Sequence, residues 1–270
     1  MAIHPTAIVE DGAQLGADVE IGPFCLVGRK AKLGDGVRLI SHASVTGDTT
    51  LGARSVVHPG AFLGGEGQIR GNDAPQARLV IGEDNVIREG VTMNLGSAIG
   101  HGVTQVGARG YFMSMSHIAH DCQVGDDVTM ANGAVLAGHV QVGDGAVFGG
   151  LSAVQQYGRI GRGAMLGGIS GANNDVIPYG MAWGPHAKLI GLNTVGLKRR
   201  GLSHADLHAM RAAFRAIFLE PLGSLKERVT AAREKWADIA QVVEICDFIL
   251  APAKRSLLPV RMHGHDADDE

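Results

Sequence analysis

The chain has 270 residues, 45% of them hydrophobic and only 4% aromatic, with 40 glycines and a formal net charge of −3. That charge gives no reason to expect nucleic acid as a partner, and no apolar run approaches the roughly 18 residues that would span a bilayer. The opening Met1-Ala2-Ile3-His4-Pro5 lacks the basic and apolar segments of a signal peptide, and three scattered cysteines, Cys25, Cys122 and Cys246, favour reduced thiols in the cytoplasm over a disulfide framework.

From Ile3 to Leu63 every sixth residue is aliphatic: Ile3, Val9, Leu15, Ile21, Val27 and onward. Four residues after each comes a small or β-branched residue, as at Ala7, Ala13, Val19 and Cys25. No helix or ordinary globular core needs a strict period of six, and this period predicts a parallel β-helix, an all-β solenoid stabilised by stacking one turn on the next. Glycines often follow the aliphatic position, as at Gly16, Gly22, Gly28 and Gly34, where a tight corner is expected to need backbone freedom.

A polar stretch from Gly64 to Arg78 interrupts the register, which resumes in phase at Ile81, Ile87 and Met93. A second break, near 94–105, shifts the phase by one residue before the run from Val106 to Leu166. Both breaks read as excursions from the solenoid wall, near 64–80 and 94–105, and tolerated insertion is the plainer alternative.

The densest chemistry lies in His117-Ile118-Ala119-His120-Asp121-Cys122, with His139 further on. If three hexads make one coil, residues eighteen apart stack at about the 4.8 Å strand spacing. His120 then shares a column with Gly138 and Gln156, and Asp121 with His139 and Tyr157. A base, a carboxylate to orient it and a backbone N–H at a residue without a side chain make up the inventory of an acyl-transfer site. His117, His120 and His139 could alternatively bind zinc. Cys122, at a small inward position, reads as core.

The repeat ends near Asp175-Val176-Ile177-Pro178, and beyond Leu202 the pattern becomes helical. Ser203 with Asp206 and Ser224 with Glu227 open two helices, and Ile239 to Leu250 carries a third. The polar tail from Arg261 to Glu270 reads as a frayed acidic end, with His263, His265, Asp266 and Asp268 as an alternative metal set.

At these residues the chain resembles the UDP-N-acetylglucosamine O-acyltransferases that begin lipid A synthesis. The matching stretches include Ile3-His4-Pro5-Thr6-Ala7-Ile8-Val9, the HIAHDC segment His117–Cys122, Leu136-Ala137-Gly138-His139-Val140 and Gly196-Leu197-Lys198-Arg199-Arg200-Gly201. The resemblance implies a left-handed β-helix over residues 1–200, a C-terminal α-helical domain over 201–270, and a homotrimer with active sites between subunits. It implies acyl carrier protein as donor through its phosphopantetheine, a nucleotide sugar as acceptor, and no metal or other cofactor. His120 would be the general base, Asp121 its orienting partner and Gly138 the oxyanion donor. His117, His139, Gln156 and Asn193 would contact substrates. Gly168 and His186 would bound the acyl pocket, leaving room for a longer 3-hydroxyacyl chain. Arg199 and Arg200, with Lys198, would meet phosphate or the acidic carrier protein.

Departures concentrate where the nucleotide sugar should bind. The family's Asn-Gln-Asp-x-Lys-Tyr type segment is Gly67-Gln68-Ile69-Arg70-Gly71-Asn72 here, its His-Arg or His-Lys pair is Asn94-Leu95, and Gln155, Pro185 and Val195 replace other polar residues. Three alternatives follow: a paralogue acylating another acceptor such as an amino sugar, a zinc-dependent hydrolyase, and a non-catalytic trimeric scaffold.

Overall fold

Each turn of the chain contributes three short strands. The computed structural model, which describes residues 1–71, 73–220 and 222–261, stacks them into three faces of eleven, nine and eight strands. The first face begins at Ala2–Ile3, the second at Ile8–Val9 and the third at Gln14–Leu15. Coils lie in parallel register, Ala2 opposite Glu20 and Ile3 opposite Ile21. The tail histidines and acids, His263, His265, Asp266 and Asp268, and Asn72 of the first excursion lie outside the described residues.

The hexad follows from strand geometry. Side chains alternate across a strand, so Cys25 and Val27 are buried inside while Leu26 between them lies on the outer surface. Aliphatic and small positions therefore alternate inward and fill a narrow core that includes Leu39, Leu51, Ile87, Ile118 and Leu136. Each buried aliphatic side chain contributes on the order of 1.5–3 kcal/mol. That burial needs the coils above and below.

The glycines after the aliphatic positions have a different reason from the expected one. Gly22, Gly28 and Gly34 are not the residues with positive φ; that conformation falls on Asp18, Phe24 and His42, at 53°, 58° and 50°. A Cβ on Gly22 would instead strike the carbonyl oxygen of Ile40 in the next coil. At Gly22 and Gly34 the close stacking of backbones, not corner torsion, requires glycine.

Both excursions leave at the corner between the second and third faces, and one lies on the other. The first bridges Phe62–Gly65 to Arg78–Ile81, the second Thr92–Asn94 to Val103–Val106. The Leu95 N–H donates to the Gly65 carbonyl at 2.8 Å, and the Asn94 side chain donates to the Glu66 carbonyl at 2.9 Å. Strand pairing continues beneath them, Phe62 opposite Thr92 and Thr92 opposite His117.

After Gly180–Trp183 the chain reverses into an antiparallel strand, Lys188–Leu192, and then forms α1 (Thr194–Arg199), α2 (His204–Phe218), α3 (Leu225–Lys235) and α4 (Ala240–Leu250). Ser203 caps α2, and Ser224 with Glu227 forms a reciprocal capping box on α3. The helices α2, α3 and α4 pack on one another. Glu244 of α4 accepts a hydrogen bond from the Tyr179 hydroxyl and pairs with Arg162, fastening the helices to the solenoid. The segment after α4 returns to the β-helix, where the Asp175 N–H donates to Ser256 and the Leu189 N–H to Pro259.

Candidate active site

Three successive coils turn from the second to the third face at Ala119–Cys122, Ala137–Val140 and Gln155–Gly158. Asp121, His139 and Tyr157 take the left-handed conformation there, with φ of 59°, 63° and 64°. Other corners place Asp18 and Arg54 in the same region, so the conformation belongs to the fold. What differs here is the side chains. The His139 N–H donates to the His120 carbonyl at 3.0 Å and the Tyr157 N–H to the Gly138 carbonyl at 3.1 Å, which establishes the eighteen-residue column.

His120 is 4% exposed and Asp121 1%. The imidazole Nδ1 lies 2.9 Å from Asp121 Oδ2. An ionised carboxylate only accepts, so Nδ1 carries the proton, and in the neutral imidazole Nε2 then offers a lone pair. Gly138 lies against that edge of the ring, and a Cβ there would fall on Cε1 and Nε2. The Gly138 N–H has no acceptor among the described residues. The His139 ring meets His120 edge-on at 4.9 Å and stacks on Tyr157 at 4.4 Å and 3°.

The second excursion builds the surroundings of Asp121. Ser97 donates its hydroxyl to Oδ2 at 2.5 Å and its N–H to Oδ1 at 3.2 Å, while the Gly102 N–H donates to Oδ1 at 3.0 Å. The Asp121 N–H donates to Thr104 Oγ1 at 2.8 Å. Burial alone would raise the carboxyl, but the Ser97 and His120 hydrogen bonds outweigh it and hold Asp121 below the ordinary carboxylate range. The loop thus does more than tolerated insertion requires. Its one sequence signal was position, since the phase slip falls in the coil directly before the column.

His117 Nδ1 bonds Thr92 Oγ1 at 2.7 Å, one coil below. Burial, and then the neighbouring His120, lower its pKa. Burial also lowers that of His139, against the opposing pull of Asp121. Cys122 is fully buried, and burial pushes its thiol up to about 12, which leaves no thiolate near neutrality. The atoms that converge as possible metal ligands belong to His120, Asp121 and His139, within 4.8 Å of one another, and not to the set His117, His120 and His139. Both Asp121 oxygens already accept N–H or O–H bonds, an arrangement suited to a carboxylate that orients a base.

The other sequence-derived residues lie elsewhere. Gln156 is exposed at the column's top, and its carbonyl accepts from Arg255 Nε at 2.6 Å. Gly168 occupies the corner between the first and second faces, and His186 an exposed turn before the antiparallel strand. Asn193 caps α1, accepting from the Gly196 N–H at 2.9 Å and donating to the Gly163 carbonyl at 3.0 Å. Arg200 donates to the Gly145 carbonyl at 2.8 Å beside the corner between the third and first faces, and Arg199 is exposed. The sequence-derived residues therefore occupy three different corners of the triangular solenoid, spread over several coils.

Comparison with known proteins agrees with this geometry. Residues 175–258 match a family model described as "Udp N-acetylglucosamine O-acyltransferase; Domain 2". The acyl-acyl-carrier-protein UDP-N-acetylglucosamine O-acyltransferase of Caulobacter vibrioides is 53% identical over 97% of this chain and 99% of its own. That of Azorhizobium caulinodans is 52% identical over 94% of each. A crystal structure of a UDP-N-acetylglucosamine acyltransferase superposes with a TM-score of 0.92 at 36% identity, covering 97% of this chain and all of the other. The Campylobacter jejuni enzyme superposes at 0.90 with 37% identity, over 96% of this chain and all of its own. The fold is their left-handed parallel β-helix with helices at the C-terminal end. With likeness of this extent over nearly its whole length, the chain belongs to the family of acyl-carrier-protein-dependent UDP-N-acetylglucosamine O-acyltransferases.

Proposed function

We propose that the protein transfers a 3-hydroxyacyl chain from acyl carrier protein to the 3-hydroxyl of UDP-N-acetylglucosamine, the first step of lipid A synthesis. The observation that carries this reading is the buried His120–Asp121 pair, with the free edge of the imidazole against Gly138. His120 Nε2 takes the proton as the acceptor oxygen attacks the thioester carbonyl. The new C–O bond forms and the carbonyl oxygen gains charge facing the Gly138 N–H. Collapse breaks the C–S bond, and the phosphopantetheine sulfur leaves with the proton that His120 returns. Asp121 holds the proton on Nδ1 throughout and stabilises the transient imidazolium. No metal or further cofactor enters this scheme.

The three-corner distribution supports a homotrimer in which neighbouring subunits supply what one chain keeps apart. His117, His139 and Gln156 line the base's side, Gly168 and His186 bound the acyl chain from another corner, and Asn193, Arg199 and Arg200 meet the nucleotide or carrier protein. The three cysteines are unpaired and buried, in keeping with a cytoplasmic reaction. No helix among the described residues is long and apolar enough to cross a membrane.

The test is mass-spectrometric detection of product from 3-hydroxyacyl carrier protein with UDP-N-acetylglucosamine and, separately, its 3-amino analogue. Product from the first acceptor, abolished in His120→Ala, is the expected result. Product from the amino analogue alone would move the acceptor to an amino sugar, as the departures at Asn94-Leu95 and at Gly67 to Asn72 would allow. Turnover that survives in His120→Ala would overturn the mechanism.

A further inference from the structure

A cleft of about 490 Å³ opens beside the catalytic column, closed on one side by the tip of the second excursion and on the other by the segment that follows α4. Its polar lining is His101 from the tip, His139, Gln141, Tyr157 and Arg159 from the coils, and Lys254 from the C-terminal segment. Among the described residues no carboxylate lines it. Other clefts do carry acids: Asp48, Glu66 and Asp73 by the first excursion, and Asp144, Glu244 and Asp247 under α4. A concave surface whose described lining carries cationic groups and no acid, with Asp121 behind His139 at 3.9 Å and already bonded to Ser97, Gly102 and His120, favours an anion over a neutral or cationic ligand.

The cations differ in their availability. Arg159 is committed to the fully buried Asp175 at 2.7 Å and lies over the Phe248 ring at 4.2 Å. Lys254 makes no ion pair among the described residues. Its ammonium lies 4.0 Å from the centre of the Tyr157 ring, and that ring stacks on His139. An aromatic face positions an ammonium without neutralising it, so N–H groups remain to donate to a ligand. The backbone beneath is pinned, because Arg255 donates to the carbonyls of Gln156 at 2.6 Å and Asn173 at 3.2 Å. Lys254 thus stands one ring beyond His139 and two beyond the base, His120.

We propose that this cleft is an anion site in which Lys254 and His101 hold a phosphate group of a substrate while its reacting end lies at His120. The inference rests on the acyl-transfer reading, in which both substrates bear phosphate: a nucleotide diphosphate on the acceptor and a phosphodiester on the carrier's phosphopantetheine. The shared chemistry is a phosphoryl oxygen accepting charge-assisted hydrogen bonds from an ammonium and an imidazole.

Steady-state kinetics of the full-length wild type, Lys254→Ala, Lys254→Arg and His101→Ala, with each substrate varied in turn, separates the two sources. Lys254→Ala is expected to raise one KM about tenfold, as loss of a charge-assisted bond does, with kcat little changed and partial rescue in Lys254→Arg. A rise confined to the nucleotide sugar assigns the diphosphate, and one confined to acyl carrier protein assigns the phosphodiester. Unchanged KM for both substrates in Lys254→Ala and His101→Ala overturns the proposal while leaving the acyl-transfer reading intact. If wild type shows no transfer at all, that reading fails instead. Calorimetric binding of UDP and of 4′-phosphopantetheine to wild type and Lys254→Ala then decides the cleft, since equal affinities for both ligands overturn it.

Discussion

At the scale of single residues, the site works by restraint. Asp121 accepts from Ser97, Gly102 and His120 at once, so its carboxylate cannot turn away from the imidazole. Ser97 acts through Asp121 and is a positioning residue. Ser97→Ala is expected to lower kcat about tenfold with little change in either KM, and Ser97→Thr to recover most of it, in the acyl-transfer assay. His120→Ala should cost about 10²–10⁴ in kcat, the usual worth of a general base. The carboxyl of Asp121 titrates below its unfolded value, so the native chain holds fewer protons than the unfolded chain near that pH. Its stabilising contribution is complete above about pH 4 and falls away as the pH drops through the native value. Urea denaturation of wild type and Asp121→Asn should therefore show a stability gap at pH 7 that narrows below about pH 4. A gap independent of pH would show that charge on Asp121 has no part in it.

At the scale of elements, the second excursion matters to the site and not to the wall. The strands beneath the second excursion keep their pairing, Thr92 opposite His117 and Arg78 opposite Val103, so the wall does not depend on the loop. Linking Gly96 directly to Gly102 should leave the far-ultraviolet circular dichroism and the melting temperature nearly unchanged. Transfer should fall at least about 10²-fold, because Asp121 loses the Ser97 donors. A large drop in melting temperature would instead make the loop part of the wall. In α3 the reciprocal Ser224–Glu227 cap satisfies N–H groups that the helix cannot pair internally. Ser224→Ala should cost about 1 kcal/mol in denaturant unfolding.

At the scale of the whole molecule, an apolar ladder runs up the corner between the first and second faces. Met115, Leu151 and Ile169 stand there with 70%, 69% and 70% of their surface exposed, each with positive φ, and Gly133 lies between the first two. Stacked apolar side chains at one edge mark an interaction surface, and Gly168 adjoins it. In the proposed trimer this edge is expected to face a neighbour. Leu151→Glu should shift the protein from trimer to monomer in sedimentation velocity and abolish transfer, with the β-helix retained by circular dichroism. A trimer that persists would place the subunit interface elsewhere.

The solenoid is written in the sequence, because a period of six leaves strand alternation no other core to fill, and so is the column of His120 and Asp121, because an eighteen-residue coil stacks His120 on Gly138 and Asp121 on His139. The helix starts were legible for a similar reason, since Ser203 and Ser224 act on N–H groups within one turn of themselves. What lies between distant segments depends on the stacked coils. That Ser97 and Thr104 serve Asp121, that Arg255 and Lys254 return to the corner of Gln156 and Tyr157, and that Gly22 yields space to Ile40 in the next coil are contacts across coils. No local pattern encodes them, because each is set by which corner an excursion or terminal segment reaches once the coils have stacked.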